Sequence, residues 1–143
     1  MKAARMLLLM AIVLMNSTSV YAESSGWGLG AGVHDGDFGA QVRKDFWLGG
    51  DISQITAQGS VFFHNNTTFK IDADYHFVIT AGKGRFYPLA GLQFAFNSDN
   101  VEFGINGGGG LNFMLTERMA AFAEIKYVFG DWDGFTIMGG IYF

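Results

Sequence analysis

Eight ionisable residues stand out in this chain: Arg43, Asp45, Lys70, Asp72, Asp74, Glu102, Glu124 and Lys126. Seven of them fall in groups whose members are two residues apart: Arg43 and Asp45; Lys70, Asp72 and Asp74; Glu124 and Lys126. That is the period at which side chains of an extended strand return to one face. Three cations and five carboxylates on a shared face point to one of two kinds of chemistry. Paired and shielded, they form a salt-bridge network that fills a space; isolated buried charges cost several kcal/mol, so buried ones are expected to be matched. Left hydrated, they line a narrow aqueous path and set its ion selectivity. The three histidines, His34, His64 and His76, are the other reactive candidates. His34 precedes Asp35, and His64 follows Ser60 on one run, so the elements of a Ser-His-acid nucleophile are present in loose form. Serine is sparse after residue 22 (Ser24, Ser25, Ser53, Ser60 and Ser98), and no enzymatic activity is expected. Cysteine is absent, which excludes disulfides and thiolate chemistry. No cofactor and no metal centre are expected.

Strands must position these charges. The chain splits into eight alternating runs: 27–34, 38–47, 51–63, 68–79, 86–97, 101–115, 119–129 and 135–143. In the fourth, Phe69, Ile71, Ala73, Tyr75, Phe77 and Ile79 oppose Lys70, Asp72, Asp74 and His76. In the seventh, Met119, Ala121, Ala123, Ile125 and Tyr127 oppose Glu124 and Lys126. The last run ends the chain, with Phe135, Ile137, Ile141 and Phe143 on one face and Thr136, Met138, Gly140 and Tyr142 on the other. Most runs have the roughly 9–11 residues that a transmembrane strand needs.

The N-terminus reads as a secretory signal peptide over residues 1–22. Lys2 and Arg5 precede the apolar run Met6 to Met15, and Val20-Tyr21-Ala22 is a cleavage pattern. The run is shorter than the about 20 apolar residues of a membrane-spanning helix, and no longer one follows. The remaining domain, residues 23–143, contains all 21 glycines and the one proline, a composition of strands and tight turns. Loss of Lys2 and Arg5 takes the formal charge from −4 to −6, so nucleic acid is not an expected partner.

Alternation does not say which face is outside. A soluble barrel buries its apolar face, whereas an outer-membrane barrel turns it to lipid. The leader, the terminal aromatic and the charge-bearing face favour lipid. Lipid offers no hydrogen bonds to open sheet edges, so the sheet must close. The expected fold is all-β: an eight-stranded antiparallel up-and-down transmembrane β-barrel, whose narrow interior is filled by side chains. Interior glycines such as Gly28, Gly91, Gly108 and Gly110 are expected to make room for large inward groups, among them Arg43 and Tyr87. A bulge is expected within Gly107 to Gly110, and Pro88 is expected near a strand start. Lys44 falls on the lipid face and belongs near a rim, where its stem can snorkel. Trp27 and Trp132 suit the two interfacial girdles.

On its strand pattern, on RFYPLAGLQF, GGGGLNFML and MAAFAEIKYVF, and on the terminal GGIYF, the chain resembles small outer-membrane β-barrels of the OmpA transmembrane-domain and OmpX type. The resemblance covers residues 23–143. It implies residence in the cell outer membrane, a monomer, lipid and lipopolysaccharide as surroundings, and recognition of Phe135, Ile137, Ile141 and Phe143 by the outer-membrane insertion machinery. It implies a structural or surface role with a charge-plugged lumen. The alternatives are a narrow porin-like channel, a lipid A-modifying enzyme using His34 or His64, and a periplasmic barrel that binds an apolar ligand. No His-x-Ser motif of the lipid A deacylase kind is present. The acidic turns carry Asp35, Asp37, Asp99, Asp131 and Asp133; these either share divalent cations with lipopolysaccharide phosphates or serve turn chemistry alone.

Overall fold

The computed structural model describes residues 26–48 and 50–143, so the signal peptide expected over residues 1–22 lies outside the described residues. Nine strand segments follow in order: β1 (Trp27–His34), β2 (Asp37–Trp47), β3 (Ser53–Phe63), β4 (Thr68–Phe77), β5 (Ile79–Ala81), β6 (Gly84–Phe96), β7 (Val101–Met114), β8 (Ala120–Gly130) and β9 (Gly134–Tyr142). All neighbours are antiparallel, and β1 pairs with both β2 and β9, which closes the sheet. Segments β4 and β5 both pair with β6 in one continuous register, His76 opposite Leu89 and Ile79 opposite Phe86. They are two pieces of one strand, and the barrel has eight.

The gap between the pieces has a local cause. The shared register sets Phe77 across from Pro88, which has no N–H to give to the ladder. Pro88 thus sits inside β6, paired with Gly109 on its other side, and not near a strand start. The expected bulge is also absent. Gly107, Gly108, Gly109 and Gly110 pair without a slip to both β6 and β8. Following partners once around the closed sheet returns roughly ten residues along β1, a stagger consistent with strands tilted by about 35–45°.

The two faces are inverted relative to a water-soluble protein. Leu29, Val42, Leu92, Ile105, Ile125 and Ile137 point outward and are exposed, while Gln54, Thr56, Asp74, Gln93 and Lys126 point inward and are buried. A monomer in water rarely exposes a contiguous apolar patch beyond a few hundred Å². Here the apolar face runs round the cylinder, which suits hydrocarbon. Aromatic bands flank it. Near the distal end, Phe38 pairs with Phe63, Phe69 with Phe96, Phe94 with Phe103 and Tyr127 with Phe135. Near the proximal end, which holds Trp27 and Phe143, lie Tyr75, Phe77, Phe86 and Phe113. On β4, Phe69 and Phe77 are eight residues apart, about 27 Å of strand. Tilted by about 40° this spans about 20 Å, near the roughly 25 Å apolar band of such barrels.

Phe135, Ile137, Ile141 and Phe143 all face outward, and Thr136, Met138 and Tyr142 are buried inside, as the alternation requires. Lys44 lies on the outer face at the proximal end, opposite Trp27 in register. Its ammonium sits 5.0 Å from the Trp27 ring centroid, so its stem folds along the indole and is covered by it.

Candidate functional site: the lumen charge network

The inward residues meet across the cylinder. β8 is three strands away from β4 in one direction and from β2 in the other. Its Glu124 and Lys126 therefore reach both walls. Glu124 Oε2 accepts from Arg43 Nη2 on β2 at 2.9 Å and from the Tyr87 hydroxyl on β6 at 3.0 Å. Lys126 Nζ donates to Asp74 Oδ2 on β4 at 2.7 Å and to Gln58 Oε1 on β3 at 3.2 Å. It also lies 3.6 Å from Glu124 Oε1 and 3.7 Å from Asp72 Oδ2. Lys70 stands 3.5 Å from Asp72 Oδ2. Neutral amides complete the set: Gln58 Nε2 donates to Asp74 at 2.7 Å, and Asn106 Nδ2 donates to Asp74 at 2.8 Å and to Asp72 at 3.2 Å.

Close strand approach makes this packing possible. A side chain at Gly91 would strike the Asp74 carboxylate and the Ala73 carbonyl. One at Gly108 would strike the Ile125 carbonyl and the Lys126 Cα. Arg43 lies over the Phe122 ring at 4.4 Å, so its planar face is covered while its edge reaches Glu124. A second inward column, Phe62, Met138, Phe122 and Tyr142, fills the side of the lumen nearest β1.

Seven of the eight ionisable residues read from the sequence are buried inside, and six of these, Arg43, Lys70, Asp72, Asp74, Glu124 and Lys126, form one connected ion-pair set. Asp45 is buried but stands apart, with Oδ1 accepting from Thr56 at 2.8 Å and Tyr142 at 3.2 Å. Glu102 is the exception. It shares the inward face, but it lies at the distal end of β7, half-exposed and with no ion pair among the described residues. Gln58, Asn106, Tyr87 and Tyr142 belong to the constellation although their types did not single them out. Their positions on the charged face were the available signal.

The distal mouth is capped. Trp132, expected in an interfacial girdle, instead folds inward and stacks on His34 with ring centroids 3.7 Å apart. Phe62 packs edge-on to both rings. The Lys70 ammonium lies beneath, 5.6 Å from the Trp132 ring and 5.5 Å from Phe62. The turn suits this inward fold: Gly130 and Gly134 at its ends have φ of 149° and 145°, and Asp35 accepts from the Phe135 N–H at 2.9 Å. His34 is buried with Nδ1 2.7 Å from the Thr136 hydroxyl. His64 contacts Asp37 at 2.6 Å on the rim, and Ser60 faces the lumen. Among the described residues, no serine is hydrogen-bonded to either histidine.

No family model matches this chain, and no curated protein matches it significantly. Solved structures do. The N-terminal β-barrel domain of Pseudomonas aeruginosa OprF aligns with a TM-score of 0.60 at 22% identity, over 84% of this chain and 97% of that one. Ail, the attachment invasion locus protein of Yersinia pestis, aligns with a TM-score of 0.57 at 13% identity, over 82% and 92%. The outer membrane enzyme PagL aligns with a TM-score of 0.52 at 11% identity, over 81% and 96%. With its closed register, its lipid-type outer face and these neighbours, the chain has the fold of the small eight-stranded outer-membrane β-barrels.

Proposed function

We propose that this protein is a non-enzymatic, monomeric structural component of the bacterial outer membrane, exported with the leader of residues 1–22 and closed to solute flow. The observation that carries this is the lumen itself. Arg43, Glu124, Lys126, Asp74, Asp72 and Lys70 link the walls, and Trp132 closes the distal end above them. The proximal end, which carries Lys44, Lys83, Arg85 and Arg118, faces the periplasm in this reading. The short distal turns, with Asp35, Asp37, Asp99, Asp131 and Asp133, face outward. Surrounding lipid and lipopolysaccharide are its partners, and Phe135, Ile137, Ile141 and Phe143 are read during insertion.

A narrow ion channel is the second reading. Arg43 Nε and Nη1, Lys70 Nζ, Asp72 Oδ2 and both amide atoms of Gln93 are shielded and have no hydrogen-bond partner among the described residues. Buried polar atoms of this kind are commonly satisfied by water, and connected water would conduct. Planar-bilayer recording separates the readings. The plug predicts no unitary current from protein whose heat-modifiable gel mobility shows that it is folded. Stable steps that change with Glu124→Gln or Lys126→Met would replace the structural role with a channel.

A further inference from the structure

The lipid-facing wall is not evenly filled. Across β1, β2, β3, β4 and β6 it carries an open trough of about 370 Å³, within the roughly 300–1,000 Å³ of sites that hold small ligands. Register explains the hollow. Val42 pairs with Gly59 and Ala40 with Val61, so two of these four outward positions lack bulk. A carbon added at Gly59 would meet only Val42 Cγ1 at 3.8 Å, which leaves the floor open there. Leu29, Val42 and Ile71 stand along the proximal side of the trough, and Val61, Phe69 and Phe96 along the distal side. Gln41, Ser60 and Lys70 also border it, but they are buried on the lumen side and bring it no charge.

The trough is slanted. From Leu29 on β1 to Phe96 on β6 is four inter-strand steps of about 4.8 Å, or about 19 Å in all. A row of partners runs perpendicular to the strands, so with a strand tilt of about 40° it climbs by about 12 Å over that length. That is the depth of one leaflet of an apolar band roughly 25 Å tall. Phe96 ends β6 in the distal aromatic band, so the upper end opens at headgroup level while the lower end lies in hydrocarbon.

Width and charge choose the occupant. A second copy of the chain presents the same hollow, and hollow against hollow leaves a void. A helix about 10–12 Å across is too broad for a floor two residues, or about 7 Å, wide. A single acyl chain suits both the width and the slant. The distal turns carry Asp35, Asp37, Asp99, Asp131 and Asp133 but no Lys or Arg, and His64 is already held by Asp37 at 2.6 Å. A headgroup of several phosphates meets no cation there, whereas one that joins a single phosphate to an ammonium meets carboxylates. We propose that the trough seats one acyl chain of a zwitterionic diacyl phospholipid and keeps that lipid through detergent extraction. The proposal rests on the membrane reading of the outer wall and is independent of whether the lumen conducts.

Native mass spectrometry of the detergent-purified protein tests this, with palmitoyl-oleoyl phosphatidylethanolamine as the probe. One lipid should stay bound at a collision energy that strips the rest. Gly59→Phe, which fills the floor, should lower that occupancy at least tenfold, and Ala40→Phe should do the same from the neighbouring strand. Gly107→Phe lies on the outer face of β7, where an added carbon meets only the Phe129 ring at 3.9 Å, and should leave occupancy unchanged within twofold. Lipid A, offered in EDTA, should be retained at least tenfold less. No retained lipid on protein with folded gel mobility would overturn the proposal. So would unchanged retention in both trough variants, an equal loss in Gly107→Phe, or lipid A held as well as the phospholipid. Failure of the refolding protein to enter phospholipid vesicles would overturn the membrane reading and the proposal with it; insertion is scored by gel mobility without reference to bound lipid, so the two failures are distinct.

Discussion

Glu124→Ala is expected to destabilise the folded barrel by about 3–5 kcal/mol, the usual cost of removing one partner of a buried ion pair. Glu124 is 3% exposed, it is the sole ion-pair partner of Arg43 among the described residues, and it also holds the Tyr87 hydroxyl. Its loss leaves the guanidinium buried against Phe122 with no anion to balance it. Arg43→Met with Glu124→Leu should recover most of the loss, because apolar side chains of similar volume often replace a buried pair at little cost. Urea titration of the unfolding transition in detergent measures all three proteins. If the single variant costs less than about 1 kcal/mol, or if the double variant is no better than the single, the pair does not hold the barrel in the way described.

Gly91→Val is expected to abolish folding. Its first side-chain carbon would fall on the Ala73 carbonyl and on the Asp74 carboxylate. The strands must then part, and Asp74 must leave Lys126. Both effects act on one contact, so no small shift relieves the clash. Gly59→Val is the matched control. That position lies on the outer face of β3, where an added carbon meets only Val42 Cγ1 at 3.8 Å. It should fold with a stability change within about 0.5 kcal/mol, the usual range for surface substitutions. The heat-dependent gel shift separates the two outcomes, and a normally folded Gly91→Val would show that the β4–β6 spacing is not fixed by this glycine.

The alternation of side chains was legible because it is local: a two-residue period assigns a face without knowledge of any partner. Arg43, Lys70, Asp72, Asp74, Glu124 and Lys126 were therefore found from spacing alone. Face is not height, however. Glu102 has the inward parity of Asn106, yet strand tilt carries it to the distal rim, away from the cations. Which residues touch across the lumen depends on the stagger accumulated around the sheet, and no single strand records that. Trp132 was misplaced for a related reason. A turn has no period, and whether its indole tips outward to lipid or inward onto His34 depends on the glycines at 130 and 134 and on the Asp35 hydrogen bond. Pro88 was visible as a missing donor, but only the register showed that the loss falls inside a strand opposite Phe77.

That missing donor gives the cylinder a seam. Every other adjacent pair of strands is laced through an unbroken run of partners, whereas β4, β5 and β6 lose the rungs around Phe77 and Pro88. A closed tube has no free edge from which to fray, so it breathes where its lacing is thinnest. Amide exchange at Phe77, Ile79 and Phe86, whose N–H groups face this seam, should accordingly run ahead of that at the matching depth between β2 and β3, through local opening that leaves the rest of the wall intact. The wall is then a spring with one slit, able to widen at its proximal third and shut again without unfolding.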